Sequence, residues 1–458
     1  MNFNLKRNSI WAAIEVLITG ISIFLLYRFV ARHLGVRALG IWSLVLTTTS
    51  LARLGDIGAS AGLSRFVALA MARGERIKAR TYMETATITN VVLFGMLGAV
   101  LYFPLWWALA VLVPVSSLAV TRDLLPYAIA SFVFMNINAV TLSALIGLQR
   151  SDLKSLVVIM AMCIQLVVAV VIVPRFGLTG LALGQVGQYV VSAAASWVLF
   201  LREIDVRHRS WFHLRFDRQS FRELIGFGVR LQALNVINFL YEPGIKLVLS
   251  AICGLEALGT FEMANRMLTQ VRQVVVAPTQ PLVPAFAHLW ETDRAGIGPL
   301  YWKAVANLIL IGGPLMLATA LFSPEVSVLW LGRYNTLFVA FAAIGAVGWF
   351  INTVSVPSYL LGISSGMVRW NIVGSTIASA LAPLLGIIMG YFYGPIGVIT
   401  AAMFSVGLGA LTVQFLNCQR FALSPLPRLA SLREAIIDLL CSIAKLGEAG
   451  KALVGRLP

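Results

Sequence analysis

Ten ionisable residues interrupt the long apolar stretches of this 458-residue chain: Glu15, Arg28, Arg53, Asp56, Arg230, Glu242, Lys246, Glu262, Arg266 and Arg272. They suit the holding of charge rather than the breaking of bonds. A guanidinium is a planar fork of donors that matches phosphate and pyrophosphate oxygens. Six of the ten are cations and four are anions, so the set has a formal excess of two positive charges. Helical spacing gathers them onto faces. Thr49, Arg53, Asp56 and Ser60 share one face, as do Asn235, Asn238, Glu242 and Lys246, and again Glu262, Arg266, Thr269 and Gln273. Glu15, Thr19 and Ser22 form a shorter stripe. Glu242 with Lys246, Glu262 with Arg266, and Arg53 with Asp56 can pair on their own helices, which leaves Glu15, Arg28, Arg230 and Arg272 without a same-helix partner. Arg28, Arg53, Arg230, Lys246, Arg266 and Arg272 are therefore candidate ligands for an anionic group. Glu15, Asp56, Glu242 and Glu262 are candidates to balance charge or take up a coupling ion. The plainer alternative is helix–helix salt bridges or headgroup anchors, above all for Arg28 and Arg266 near the ends of their spans.

The elements that carry these charges follow from composition. Hydrophobic residues make up 59% of the chain and charged residues 12%. That is about half the charged share of a soluble domain. Mean hydropathy is +0.87. These values exclude a disordered chain and an ordinary soluble enzyme, and they imply an all-α polytopic membrane protein. Twelve spans are expected near 10–33, 38–63, 82–104, 122–148, 154–174, 178–201, 222–250, 256–287, 302–322, 335–362, 369–392 and 395–418. The ten charges fall on the first, second, seventh and eighth of these. A charge in hydrocarbon costs at least ~2.5 kcal/mol, so those four helices are expected to line a water-filled interior.

The net charge of +16 could suggest nucleic acid. The basic residues instead lie in short loops between apolar runs, with 24 on one side and only Arg32, Arg37, Arg122, Arg175 and Arg333 on the other. By the positive-inside rule both termini are cytoplasmic, and no nucleic acid is expected as a partner. The start of the chain has no small-residue cleavage site and reads as an uncleaved first span. The apolar segment 105–120 fits no separate crossing. It is expected to extend the third helix or lie at the interface with Trp106 and Trp107. After Ser424-Pro425-Leu426-Pro427, residues Leu432, Ile436, Leu439, Leu440 and Ile443 set an amphipathic pattern for a surface helix. The expected organisation is thus 1–201 as a six-helix bundle, 202–221 as a basic cytoplasmic linker, 222–418 as a second six-helix bundle and 419–458 as a cytoplasmic tail.

The two bundles read as a repeat. Gly35-Val-Arg-Ala-Leu-Gly40 recurs as Gly254-Leu-Glu-Ala-Leu-Gly259, an offset of 219 residues that also pairs Arg53 with Arg272 and Phe103 with Phe322. With small indels Gly147 matches Gly362, and Gly180 matches Gly397. Six helices per repeat places both halves in the membrane in the same orientation, with substrate bound between bundles that rock. Glu242-Pro243-Gly244 is expected to interrupt the seventh helix, and Pro278, Pro281 and Pro284 to bend the eighth.

Several chemistries lack their residues. Cys163, Cys253, Cys418 and Cys441 are scattered, which gives neither a disulfide framework nor a metal site. None of the seven Asp residues forms an Asp-x-Asp pair, and no Gly-rich Lys loop for nucleotide phosphates is present. No enzyme activity, cofactor or metal is expected.

The stretch 28–65, RFVARHLGVRALGIWSLVLTTTSLARLGDIGASAGLSR, resembles the opening of Wzx-type polysaccharide flippases of the MOP superfamily, which includes MATE exporters and lipid II flippases. Leu34, Gly35 and Gly40 match that family's outer-loop pattern, and Asp56-Ile57-Gly58 its following Asp-x-Gly. Residues 250–267 resemble the start of the family's second bundle. The resemblance implies a V-shaped, MATE-like fold in a bacterial inner membrane. It also implies transfer of undecaprenyl-pyrophosphate-linked oligosaccharide to the periplasmic leaflet. Membrane lipids would be partners, and so would a polysaccharide polymerase and a chain-length regulator. A MATE-type cation-coupled exporter and a lipid II flippase are the alternatives. The excess of buried cations argues against the first, and twelve helices rather than fourteen against the second.

Overall fold

A computed structural model describes residues 5–50, 59–205, 215–279, 282–427, and 433, 436 and 437. In lipid every backbone N–H and C=O must be satisfied within its own segment, so apolar runs of this length become helices. The first half holds α1 (Leu5–Leu34), α2 (Val36–Ser50), α3 (Ala59–Ala72), α4 (Arg76–Leu112), α5 (Val115–Gly147) and α6 (Ser151–Glu203). The second half holds α7 (Arg218–Val276), α8 (Leu282–Thr292), α9 (Ile297–Asn307), α10 (Gly313–Leu321), α11 (Ser323–Leu331), α12 (Thr336–Val354), α13 (Val356–Ser364) and α14 (Arg369–Arg420).

Three of these are hairpins of two helical arms. α6 turns at Gly177, α7 at Gly254 and α14 at Gly394, each with non-helical backbone. Among the described residues eight helices are long and apolar enough to cross a membrane, and α6, α7 and α14 among them turn back at these glycines. The second expected span, 38–63, includes residues outside the described set. The two halves share their landmarks. Gly177 (φ 56°) and Gly394 (φ 60°) make corresponding turns, and Gly35 (φ 83°) corresponds to Gly254 (φ 85°). Gly147 ends α5 and Gly362 lies in the last turn of α13.

Several boundaries differ from expectation. α4 runs to Leu112, so the apolar segment 105–120 divides between the end of α4 and the start of α5 around Pro114. Pro243 does not interrupt α7, which stays helical through Glu242-Pro243-Gly244. Pro278 does act as a stop. α7 ends at Val276, and residues 277–279 form a 3-10 turn. Proline supplies no N–H to continue an α-helical ladder. The tail helix lies largely outside the described residues. Arg433, Ile436 and Ile437 are helical and exposed. The linker before it is docked: Pro425 O accepts from Gln414 Nε2 and Tyr301 Oη.

The largest core joins the halves and includes Leu44, Val45, Leu249, Leu258, Phe261 and Phe341. Much apolar surface stays outside. Phe103, Trp107, Phe176, Phe322, Tyr391, Phe392 and Tyr393 are exposed, as suits helices solvated by lipid with aromatic residues toward the interface. The chain is a multi-pass membrane protein.

Candidate substrate cavity between the halves

The halves meet along α2 and α7. A Cβ on Gly40 would lie 1.8 Å from Leu255 O, and one on Gly259 would lie 2.1 Å from Val36 O. Gly40 and Gly259 are equivalent in the repeat, as are Val36 and Leu255, so the contact is reciprocal. The repeated glycines bring two backbones together where no side chain fits. Gly35 and Gly254, one turn earlier, reverse the chain in the left-handed region that an L residue enters only with strain.

Roughly 12 Å farther along these helices, charged groups converge. Lys246 Nζ bridges Glu242 Oε1 and Glu262 Oε2, each at 2.7 Å. Arg266 Nε donates to Glu262 Oε1 at 2.8 Å. Glu262 also accepts from Ser43 Oγ at 2.9 Å and from Tyr27 Oη at 3.2 Å. One carboxylate therefore collects donors from α1, α2 and both arms of α7. The side chains of Glu262 and Lys246 are buried at 4% and 7% exposure, whereas Arg266 and Glu242 keep 41% and 50%. The buried pair is a structural tie, and Arg266 and Glu242 are the groups left facing open space.

That space is a cavity of about 320 Å³ lined by all four charged groups, with Tyr27, Trp42, Ser43, Gln185 and Tyr189 among its walls. A lobe of about 210 Å³ shares Tyr27, Trp42, Gln185, Tyr189 and Arg266 with it and adds Gln165 and Gln188 from α6. Trp42 Nε1 donates to Gln185 Oε1 at 3.1 Å and ties α2 to α6. The lining combines one accessible guanidinium, one accessible carboxylate, aromatic faces and amides. Such a surface recognises an anionic headgroup through the cation and hydroxyl-rich rings through stacking and amide hydrogen bonds.

The ten expected residues do not form one cluster. Lys246, Arg266, Glu242 and Glu262 come together, and their charges cancel. Glu15 pairs with Lys154 across α1 and α6, away from this cavity. Arg28 is half-buried on α1 and lines neither part of the cavity. Arg272 lies in a separate cavity of the second half. Arg53 and Asp56 fall outside the described residues. Arg230 lies on α7, with its side chain outside the described set. Sequence reasoning missed Tyr27, Trp42, Ser43, Gln185 and Tyr189. The repeat offset held the signal for two of them, because Tyr27 corresponds to Lys246 and Ser43 to Glu262.

With the fold and cavity in view, the similarities to known proteins are consistent. A multidrug resistance MATE family transporter of the MOP superfamily, in an inward-facing conformation, superposes with a TM-score of 0.74 at 12% identity, covering 90% of this chain and 98% of that one. The lipid II flippase MurJ in an inward closed conformation gives 0.70 at 13% identity, covering 96% and 92%. A MOP superfamily transporter from Pyrococcus furiosus, described by the reverse polarity of its binding pocket, gives 0.63 at 14% identity, covering 91% and 95%. At such identities the likeness is one of fold. No curated protein matches the chain. The chain therefore shares the fold of these membrane transporters and of the flippase. Residues 5–290 match the family described as polysaccharide biosynthesis protein, and the chain belongs to that family. The resemblance to Wzx-type flippases read from residues 28–65 is borne out.

Proposed function

We propose that the protein moves an undecaprenyl-pyrophosphate-linked oligosaccharide from the cytoplasmic to the periplasmic leaflet of a bacterial inner membrane, by alternating access between its two bundles. One observation carries the reading. In a chain of the polysaccharide biosynthesis family, the Arg266 side chain stays 41% exposed beside Trp42, Tyr189 and Gln185 while one of its nitrogens bonds Glu262. The cation would take the pyrophosphate and the aromatic and amide wall the first sugars, while the polyprenyl tail stays in lipid. Arg53 and Arg230 would add to the cationic lining, and Asp56 and Glu242 would balance it or carry a coupling proton. No covalent step is required. With both termini cytoplasmic, as loop charge implies, the Gly40–Gly259 contact seals the periplasmic end of the cavity. A polymerase and a chain-length regulator would act on the product.

A second reading rests on Glu242. Its half-exposed carboxylate among aromatic residues would suit a cationic small molecule, as in a cation-coupled exporter. Two variants separate the readings in cells whose surface polysaccharide depends on this gene, with abundance checked. Arg266→Gln is expected to cut glycan export severalfold or more. Undiminished export in Arg266→Gln, with cationic-dye efflux lost in Glu242→Gln, would establish the exporter instead.

A further inference from the structure

Arg272 occupies a cavity of about 340 Å³, roughly ten times the share of one water in the liquid, walled only by the second half. Tyr241, Trp349, Asn352, Tyr359 and Ser375 line it with Arg272. Arg272 Nη2 donates to Asn352 Oδ1 at 2.8 Å, and the guanidinium carbon lies 5.2 Å from the centre of a Trp349 ring. The rings of Tyr241 and Trp349 meet edge to face, 6.5 Å apart.

Three buried polar atoms of this wall have no hydrogen-bond partner: Arg272 Nε, Tyr241 Oη and Trp349 Nε1. All three carry hydrogens to donate, and among the described residues no acidic side chain lines the cavity. A half-buried guanidinium with no carboxylate beside it is unfavourable, and unmade donors add to that cost. The complement of such a wall is a group with negative charge and several accepting oxygens. We infer that this cavity is a second binding site, distinct from the one between the halves, and that it takes an oxyanion, either a carboxylate or a phosphate. The faces of Trp349 and Tyr241 would hold a pyranose ring that bears the acid. The inference stands on this wall alone and does not depend on the transported substrate.

The test is equilibrium binding to the full chain in nanodiscs of zwitterionic lipid, with radiolabelled inorganic phosphate and radiolabelled glucuronate as separate probes. Saturable binding of at least one probe is expected, weakened about tenfold or more in Arg272→Gln, the scale of a lost charged hydrogen bond. Stronger binding of glucuronate marks an acidic sugar as the source of the oxyanion. Stronger binding of phosphate marks a free or lipid-borne phosphate. If Arg272→Gln does not fold, Tyr241→Phe and Trp349→Phe carry the test, since each removes a donor and keeps a ring. A loss of about threefold is expected for each. The inference is overturned if neither probe binds saturably, if binding is indifferent to these variants, or if Arg266→Gln weakens it instead.

Discussion

Ser43 and Glu262 occupy the same position of the two repeats, 219 residues apart, and Ser43 Oγ donates directly to the Glu262 carboxylate at 2.9 Å. Their neighbours follow the same rule. Tyr27 in the first half stands where Lys246 stands in the second, and both reach Glu262. The repeat has diverged by charge. At this cluster the first half supplies neutral hydroxyls and the second supplies ions, and both converge on one acceptor.

Removing that acceptor should be costly. Glu262→Gln leaves Lys246, 7% exposed, without its carboxylate in the second arm of α7. Lys246 keeps Glu242 at 2.7 Å, so the expected loss of stability is about 1.5–3 kcal/mol, the worth of a charged hydrogen bond rather than of an unpaired buried charge. Thermal unfolding in detergent would show a clear drop. The double variant Lys246→Met with Glu262→Met should regain most of it, because a buried ion pair can be replaced by apolar groups at little cost. A double variant less stable than either single variant would contradict this view of the pair.

Gly40→Ala and Gly259→Ala should each loosen the junction of the halves. The added methyl carbon would overlap a backbone oxygen, of Leu255 in one case and Val36 in the other, and neither can move without its helix. The two variants should lower the melting temperature by similar amounts. Gly95→Ala is the control. Open space surrounds Gly95, and alanine in a helix is favoured over glycine by roughly 0.5–1 kcal/mol, so that variant should melt no lower than the parent.

Asp217 caps the start of α7. Its Oδ2 accepts from Ser220 N at 2.7 Å and from Ser220 Oγ at 2.6 Å, and these bonds hold its carboxyl below the ordinary aspartate range. A depressed carboxyl stabilises the fold above its unfolded pKa and loses that contribution as pH falls through the folded value. Asp217→Ala should therefore melt lower than the parent at neutral pH, with the difference fading as the pH falls below the usual aspartate value of about 3.9. A difference that persists or grows in acid would refute the cap's role.

Gln185 should matter for transport more than for folding. It accepts from Trp42 Nε1 and faces both parts of the cavity. Gln185→Ala should lower export by roughly fivefold, the worth of about 1 kcal/mol of hydrogen bonding, at unchanged abundance. Equal export at equal abundance would remove Gln185 from the site.

What the sequence revealed tracks what is local. The breaks at Gly35 and Gly254 are legible from the gaps between expected spans and from the repeated Gly-x-x-Ala-Leu-Gly, and the backbone there is left-handed, which favours glycine. The pairing of Glu242 with Lys246 and of Glu262 with Arg266 was legible from helical spacing. The partner of Glu15 was not, since Lys154 lies on another helix and only packing brings them together. Trp42, Gln185 and Tyr189 were hidden because an aromatic or amide residue in an apolar helix serves equally well in a core or at the interface. Arg272 does not share the cavity of Arg266. Six residues separate them, which turns the helix by roughly 240° and points the two guanidinium groups to different faces.

The account rests on Arg266 presenting its cation to a phosphorylated lipid carrier, and reconstitution tests it most directly. Proteoliposomes would be loaded with undecaprenyl-pyrophosphate-linked oligosaccharide bearing a fluorescent sugar, and its arrival in the far leaflet followed by access to a soluble glycosidase. Transfer by the parent protein should far exceed that of protein-free vesicles and should fall about tenfold or more in Arg266→Gln, the scale of a lost charged hydrogen bond. Transfer no faster than in empty vesicles, or equal rates in parent and variant, would contradict it.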